Sequence, residues 1–214
     1  IFFLAALIPL GFCFISTYSR GAWMSMYLAG IIIILLKNKK LSFALIALVI
    51  ILSVFMPQSV KDRFGGAADF SEGTTSQRIK LWSGCLEMIK VHPVLGFGVN
   101  TYTKNFPDFK PKNCLDSIYT HNCYMQMASE IGIVGLTLFL IFITLCLFYI
   151  GSSVKMLPLG WIRSMAIGIF AGIAGFLLHS AVDTHLYSTT MAVMFYFLLG
   201  LCIALCNYAR NSRP

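Results

Sequence analysis

The sequence predicts an all-α fold: a polytopic α-helical membrane protein with about six transmembrane spans and one large helical extracytoplasmic loop. Three observations predict it. Of 214 residues, 58% are hydrophobic and 11% charged, with a mean hydropathy of +0.80. Six apolar runs approach the ~17–25 residues that a span requires: Ile1–Thr17, Gly21–Leu36, Leu41–Met56, Ile131–Ile150, Ile162–Val182 and Ser188–Asn207. One long segment between the third and fourth runs, Pro57–Glu130, holds eight of the Lys/Arg and seven of the Asp/Glu. The expected organisation is three spans in 1–56, an extracytoplasmic loop in 57–130, and three spans with a short cytoplasmic tail in 131–214.

Ile1 opens inside an apolar run with no initiator Met or charged leader. The sequence is therefore expected to be the C-terminal part of a longer protein whose further spans complete the bundle. The connections after the second and fourth spans, and the C-terminal tail, carry Lys37, Lys39, Lys40, Lys155, Arg163, Arg210 and Arg213 and no acid. The positive-inside rule makes those faces cytoplasmic. The opposite face then holds Arg20, the long loop and Asp183–Tyr187. The +8 net charge thus reports topology, and no basic cluster with interleaved aromatics suggests nucleic acid.

Arg20, in Ser19-Arg20-Gly21, stands between two apolar runs. A guanidinium does not lose its proton, and at bilayer depth it costs ~2.5–3.5 kcal/mol on insertion scales. It either snorkels to headgroups or meets an anion. Within the loop, Ser76–Val91 reads as a helix, with Ile79, Trp82, Leu86 and Ile89 as one apolar stripe and His92-Pro93 as its stop. Arg78 falls in its first turn, where a cation opposes the helix dipole and a bound anion would favour it. Gly96 and Gly98 allow a tight turn or close backbone approach. Phe106–Leu115 reads as irregular. Thr120-His121-Asn122 opens another helix, with Thr120 as its expected N-cap, and Gly132 and Gly135 permit a bend where that helix enters the membrane. His121 can accept or donate a proton near neutral pH. His179 and His185 flank Asp183 at the end of the fifth span, where the acid can orient a histidine or hold an arginine, or where the three can simply close a helical hairpin.

Of seven cysteines, Cys13, Cys146, Cys202 and Cys206 lie in spans, where Cys acts as a small apolar residue. Cys85, Cys114 and Cys123 lie in the loop, and in an oxidising compartment one disulfide and one free thiol can form. No C-x-x-C or His/Cys spacing signals a metal, and no cofactor is expected.

Read together, Ser19-Arg20-Gly21, Gln77-Arg78-Ile79-Lys80-Leu81-Trp82, His92–Asn100, Thr120-His121-Asn122-Cys123-Tyr124-Met125-Gln126 and Glu130–Leu136 resemble the O-antigen ligase and polymerase superfamily of bacterial membrane glycosyltransferases. The resemblance covers nearly the whole chain. It implies a glycan donor carried on undecaprenyl diphosphate outside the cytoplasmic (inner) membrane, and as acceptor a sugar hydroxyl of lipid A–core, another lipid-linked chain or a protein. It further implies an inverting, metal-independent reaction with essential arginines and a loop histidine. By motif these are His121 and Arg78 as catalytic residues and Arg20 and Arg78 as diphosphate ligands, with Asp183, Trp82 and Asn122 in support. The chemistry fits: without a metal, arginines must neutralise the diphosphate, and an acceptor hydroxyl needs a base, worth ~10²–10⁴-fold. Lys110 and Lys112 can attract a phosphorylated acceptor or can be plain solvated charges. The partners expected are the lipid-linked donor, the glycan acceptor and membrane lipid. A transporter would instead line a pathway with intramembrane polar residues, and a non-catalytic scaffold would tolerate replacement of Arg78 and His121.

Overall fold

The computed structural model describes residues 9–14, 16, 17, 19–37 and 74–211. The expected third span, Leu41–Met56, the start of the first span, and the first part of the long loop, 57–73, lie outside the described residues. The elements are α1 (Arg20–Lys37), α2 (Thr74–Val91), α3 (Tyr102–Asn105), a 3₁₀ turn (Phe106–Asp108), α4 (Cys123–Met156), α5 (Trp161–His179), a second 3₁₀ turn (His185–Tyr187) and α6 (Thr189–Asn211). Among the described residues there is no strand. The apolar helices α1, α4, α5 and α6 are long enough to cross a membrane, so the protein is a polytopic helical membrane protein.

Small residues set the bundle spacing. Helices α1 and α5 run antiparallel and close, because Gly175 faces the backbone of Ser25 and Gly21 faces His179; a Cβ on Gly175 would sit 2.8 Å from the Ser25 carbonyl oxygen. The Ser25 hydroxyl donates back to the Gly21 carbonyl at 2.8 Å, which leaves no polar group unsatisfied at the contact. Such small-residue faces let membrane helices gain dispersion where no hydrophobic drive separates lipid from protein. On the other side of α5, Ile150, Val154, Ala166, Ile167 and Cys202 make a dry core with α4 and α6. Phe148 and Phe197 point outward, as a lipid-facing surface allows.

A second core belongs to the segment between α1 and α4. Leu81, Cys85 and Met88 of α2 pack on Tyr102, Phe106 and Cys114. This corrects the stripe read from sequence: Trp82 and Ile89 only flank the buried face, and Ile79 and Leu86 are exposed. The buried side is carried by soft, compact residues at i, i+4 and i+7, which an aliphatic count passes over. Burial pushes the Cys85 thiol up to about 12, so it packs as a small apolar group. Cys85, Cys114 and Cys123 are all unpaired, so the loop disulfide does not form here. Residues expected to be irregular also include ordered turns, the 3₁₀ turn Phe106–Asp108 among them.

Helix α4 is broken at Gly132 (φ 69°, ψ 177°), where the sequence permits a bend. The break is filled by the chain after α2. The Ile133 N–H donates to the Pro93 carbonyl at 2.8 Å, and the Gly98 and Phe97 N–H groups donate to the carbonyls of Glu130 (2.8 Å) and Ser129 (3.0 Å). Backbone groups freed by the kink thus find partners, as buried peptide groups must. The approach leaves no room for side chains: a Cβ on Gly132 would lie 2.0 Å from the Val94 oxygen, and one on Gly96 2.5 Å from Glu130 backbone atoms.

Candidate functional site

One end of the bundle gathers the residues singled out above. Ser19 accepts the Ala22 N–H on its Oγ at 3.3 Å, starting α1 so that Arg20 is its first residue. The Arg20 guanidinium donates to Thr75 Oγ1 at 3.1 Å. Arg78 lies one turn beyond Thr75 on the same face of α2 and is near enough to His179 to interact electrostatically. His179 in turn packs on Gly21, beside Arg20. The two arginines, 58 positions apart in sequence, therefore share one corner. Neither forms a salt bridge among the described residues. Arg78 is in the second turn of α2, since the helix includes Thr74; the helix N-terminus argument for an anion at Arg78 therefore lapses, and it applies instead to Arg20.

His121 and Asp183 come together across 62 positions, with Nδ1 3.2 Å from Oδ1. Both side chains are about one-third exposed (39% and 35%). Asp183 Oδ1 also accepts the Thr184 N–H at 2.8 Å. The His121 hydrogen bond first, then the Thr184 N–H and the neighbouring imidazoles, hold the Asp183 carboxyl well below the usual carboxylate range against the opposing effect of burial. Asp183 therefore stays anionic. With Nδ1–H donated to that carboxylate, Nε2 of His121 carries the free lone pair, which is the orientation a general base requires.

The turn bearing His121 is held in the left-handed region (φ 53°), a conformation costing ~1–3 kcal/mol for a non-glycine residue. Its neighbours hold it there. Thr120 is fully buried; its N–H donates to Gln126 Oε1 at 3.2 Å, its carbonyl accepts Trp82 Nε1–H at 3.0 Å, and its hydroxyl donates to the Asn122 carbonyl at 2.7 Å. The cap of α4 is Asn122 and not Thr120: its Oδ1 accepts the Tyr124 and Met125 N–H groups at 3.0 and 3.1 Å, reached from an extended backbone (φ −160°, ψ 107°). The Cys123 N–H, donated to the Ser180 carbonyl at 2.8 Å, joins this turn to the end of α5. Trp82 and Asn122 thus act on the turn that carries His121.

Glu130 went unnoticed as a site residue. It is 1% exposed. Its carboxylate accepts the backbone N–H groups of Asn100 (2.9 Å) and Tyr102 (3.2 Å), the Tyr187 hydroxyl (3.2 Å) and Gln126 Nε2 (3.4 Å). It ties the glycine loop and the Asp183 hairpin to α4. Burial, then the Glu130 charge, pushes the Tyr187 phenol far up, so that it remains a donor. The available signal was a lone acid at the edge of an apolar helix with no base beside it in sequence. Replacing Glu130 with Ala leaves several buried donors unsatisfied at ~1–3 kcal/mol each. Thermal unfolding should register a loss above about 3 kcal/mol, and Gln, which keeps one acceptor oxygen, a smaller one.

Lys110 pairs with Asp116 at 2.5 Å, while Lys112 is exposed. The charge of Lys110 is thus already matched within the loop.

The family described as O-Antigen ligase (Wzy_C) matches residues 4–140 of the chain, the stretch that includes Arg20, Arg78, His121 and the Gly132 kink. No curated protein matches it.

Proposed function

The chain belongs to the O-antigen ligase family, and on that premise we propose that the protein moves a glycan from undecaprenyl diphosphate to a sugar hydroxyl of lipid A–core, on the periplasmic face of the bacterial inner membrane. The observation that carries this reading is the corner where two arginines that form no salt bridge among the described residues meet the His121–Asp183 pair. Lys37, Lys155 and Arg163 lie at the opposite ends of their helices from that corner, which supports the assignment of the site to the outer face.

In the proposed reaction Arg20 and Arg78 hold the donor diphosphate. Arginine suits the task because its planar fork engages phosphate bidentately and stays charged. Arg20 stands at the start of α1, where the helix dipole also favours an anion. The acceptor hydroxyl oxygen attacks the anomeric carbon from the face opposite the leaving group. Nε2 of His121 takes its proton, Asp183 stabilises the imidazolium, and the carbon–oxygen bond to the diphosphate breaks with inversion. The arginines stabilise the charge that collects on the leaving diphosphate. Energy comes from the activated bond, so no nucleotide is required.

Expression of the protein in a strain lacking its own ligase tests the acceptor, read as the lipopolysaccharide ladder on a gel. A restored ladder supports ligation. Its absence in a well-expressed strain counts against lipid A–core and directs the search to polymerisation or protein acceptors. Arg78→Lys keeps the charge but loses the fork; it should raise the donor KM and leave part of the ladder, whereas Arg78→Ala should abolish it.

A further inference from the structure

We propose that the hairpin between α5 and α6 carries a site for a divalent transition-metal ion, formed by His179, Asp183 and His185. One donor atom from each residue lies within 4.8 Å of the others. The residues stand at i, i+4 and i+6, and the chain brings them together by leaving the helix at Ser180 and making the 3₁₀ turn His185–Tyr187.

A second observation points to a missing partner. Nε2 of His185 is buried and has no hydrogen-bond partner. The ring stands edge-on to His179 (centroids 4.2 Å, 70°) and tilted against Phe176 (5.6 Å, 40°), so the nitrogen cannot swing out to solvent without losing that packing. An unsatisfied buried nitrogen costs ~1–3 kcal/mol. The carboxylate supplies the negative charge: its hydrogen bonds from His121 and Thr184 both fall on Oδ1, so Oδ2 is available as a ligand.

Two imidazoles and one carboxylate select a first-row ion of the zinc type over magnesium or calcium, which prefer all-oxygen shells. Three protein ligands leave a fourth position open for water or an oxyanion. Bonds of ~2.0–2.2 Å require the donors to converge from their present spacing of up to 4.8 Å. Arg78, which interacts with His179, weakens the site relative to one without a neighbouring cation.

An ion on Oδ2 would draw charge from the carboxylate that His121 engages through Oδ1, so occupancy is expected to suppress glycan transfer. That consequence rests on the proposed role of His121; the binding itself does not. The test is Zn²⁺ titration of the full-length protein in detergent, after chelator treatment, by competition with a fluorescent zinc indicator. One site per chain is expected, weakened by at least roughly 10–100-fold in His185→Gln and unchanged in His92→Ala. Cu²⁺-loaded wild type gives a reading that needs no variant: its electron paramagnetic resonance spectrum should show hyperfine splitting from two nitrogen ligands. Absence of stoichiometric binding, equal binding by His185→Gln, or a spectrum without nitrogen splitting overturns the site. Binding that leaves transfer unchanged overturns the coupling of Asp183 to His121 and not the site.

Discussion

Replacement of His121 by Ala should lower glycan transfer by ~10²–10⁴-fold, the usual contribution of a positioned general base, while donor binding changes little. The reason is geometric. Nδ1 of His121 is committed to Asp183 at 3.2 Å, and the turn holding it is secured on both sides of Thr120. Only Nε2 remains to meet a hydroxyl. Asp183→Asn should also reduce transfer, because a neutral amide lacks the charge that stabilises an imidazolium. The double variant should be little worse than His121→Ala alone, since residues acting as one unit are strongly non-additive. Steady-state rates of the four proteins decide this. Independent, multiplicative losses would mean that His121 and Asp183 serve separate tasks.

The second large effect is expected at a residue that touches no substrate. Gly132→Ala should destabilise the protein by about 3 kcal/mol or more, combining the ~1–3 kcal/mol of a strained backbone with the ~1–3 kcal/mol of overpacking. Its φ is +69°, and an added Cβ would lie 2.0 Å from the Val94 carbonyl oxygen. That contact is with backbone, so no rotamer change relieves it. The loop from Pro93 to Gly98 must then leave the kink, taking with it the hydrogen bonds to Ile133, Glu130 and Ser129. Thermal unfolding in detergent should show the loss, and limited proteolysis should open between α2 and α3. Gly135→Ala, which meets only the side chain of Ile131, should be milder because that side chain can move. Equal effects at the two glycines would contradict the account of the kink.

Much of this architecture is legible in the sequence because membranes impose simple rules. Spans must be apolar over a fixed length, so Gly21–Leu36, Ile162–Val182 and Ser188–Asn207 lie close to α1, α5 and α6. The end of α2 was legible from His92-Pro93 and the bend from Gly132. The individual site residues stood out as polar groups at apolar boundaries. Their meeting did not, because it depends on the antiparallel register of α1 on α5, set by Gly21 and Gly175; no local pattern encodes which helices touch. The same limit hid the roles of Thr120 and Glu130. Thr120 looked like a cap by residue type, but Asn122 has the extended backbone that lets a side chain reach the next N–H groups. Glu130 is recognisable only through its partners, three of which come from residues 100, 102 and 187. The buried face of α2 was misjudged because Cys85 and Met88 pack as well as aliphatic residues in a small core.

The most direct test of the central claim separates donor binding from transfer in one reconstituted system. Full-length protein in lipid nanodiscs would be given undecaprenyl diphosphate-linked glycan and acceptor, with binding read at equilibrium without acceptor and transfer read as glycosylated product. Arg78→Ala is expected to lose donor binding, and His121→Ala to bind donor within a few-fold of wild type but form almost no product. Transfer by His121→Ala at the wild-type rate, or undiminished donor binding by Arg78→Ala, would contradict the central claim.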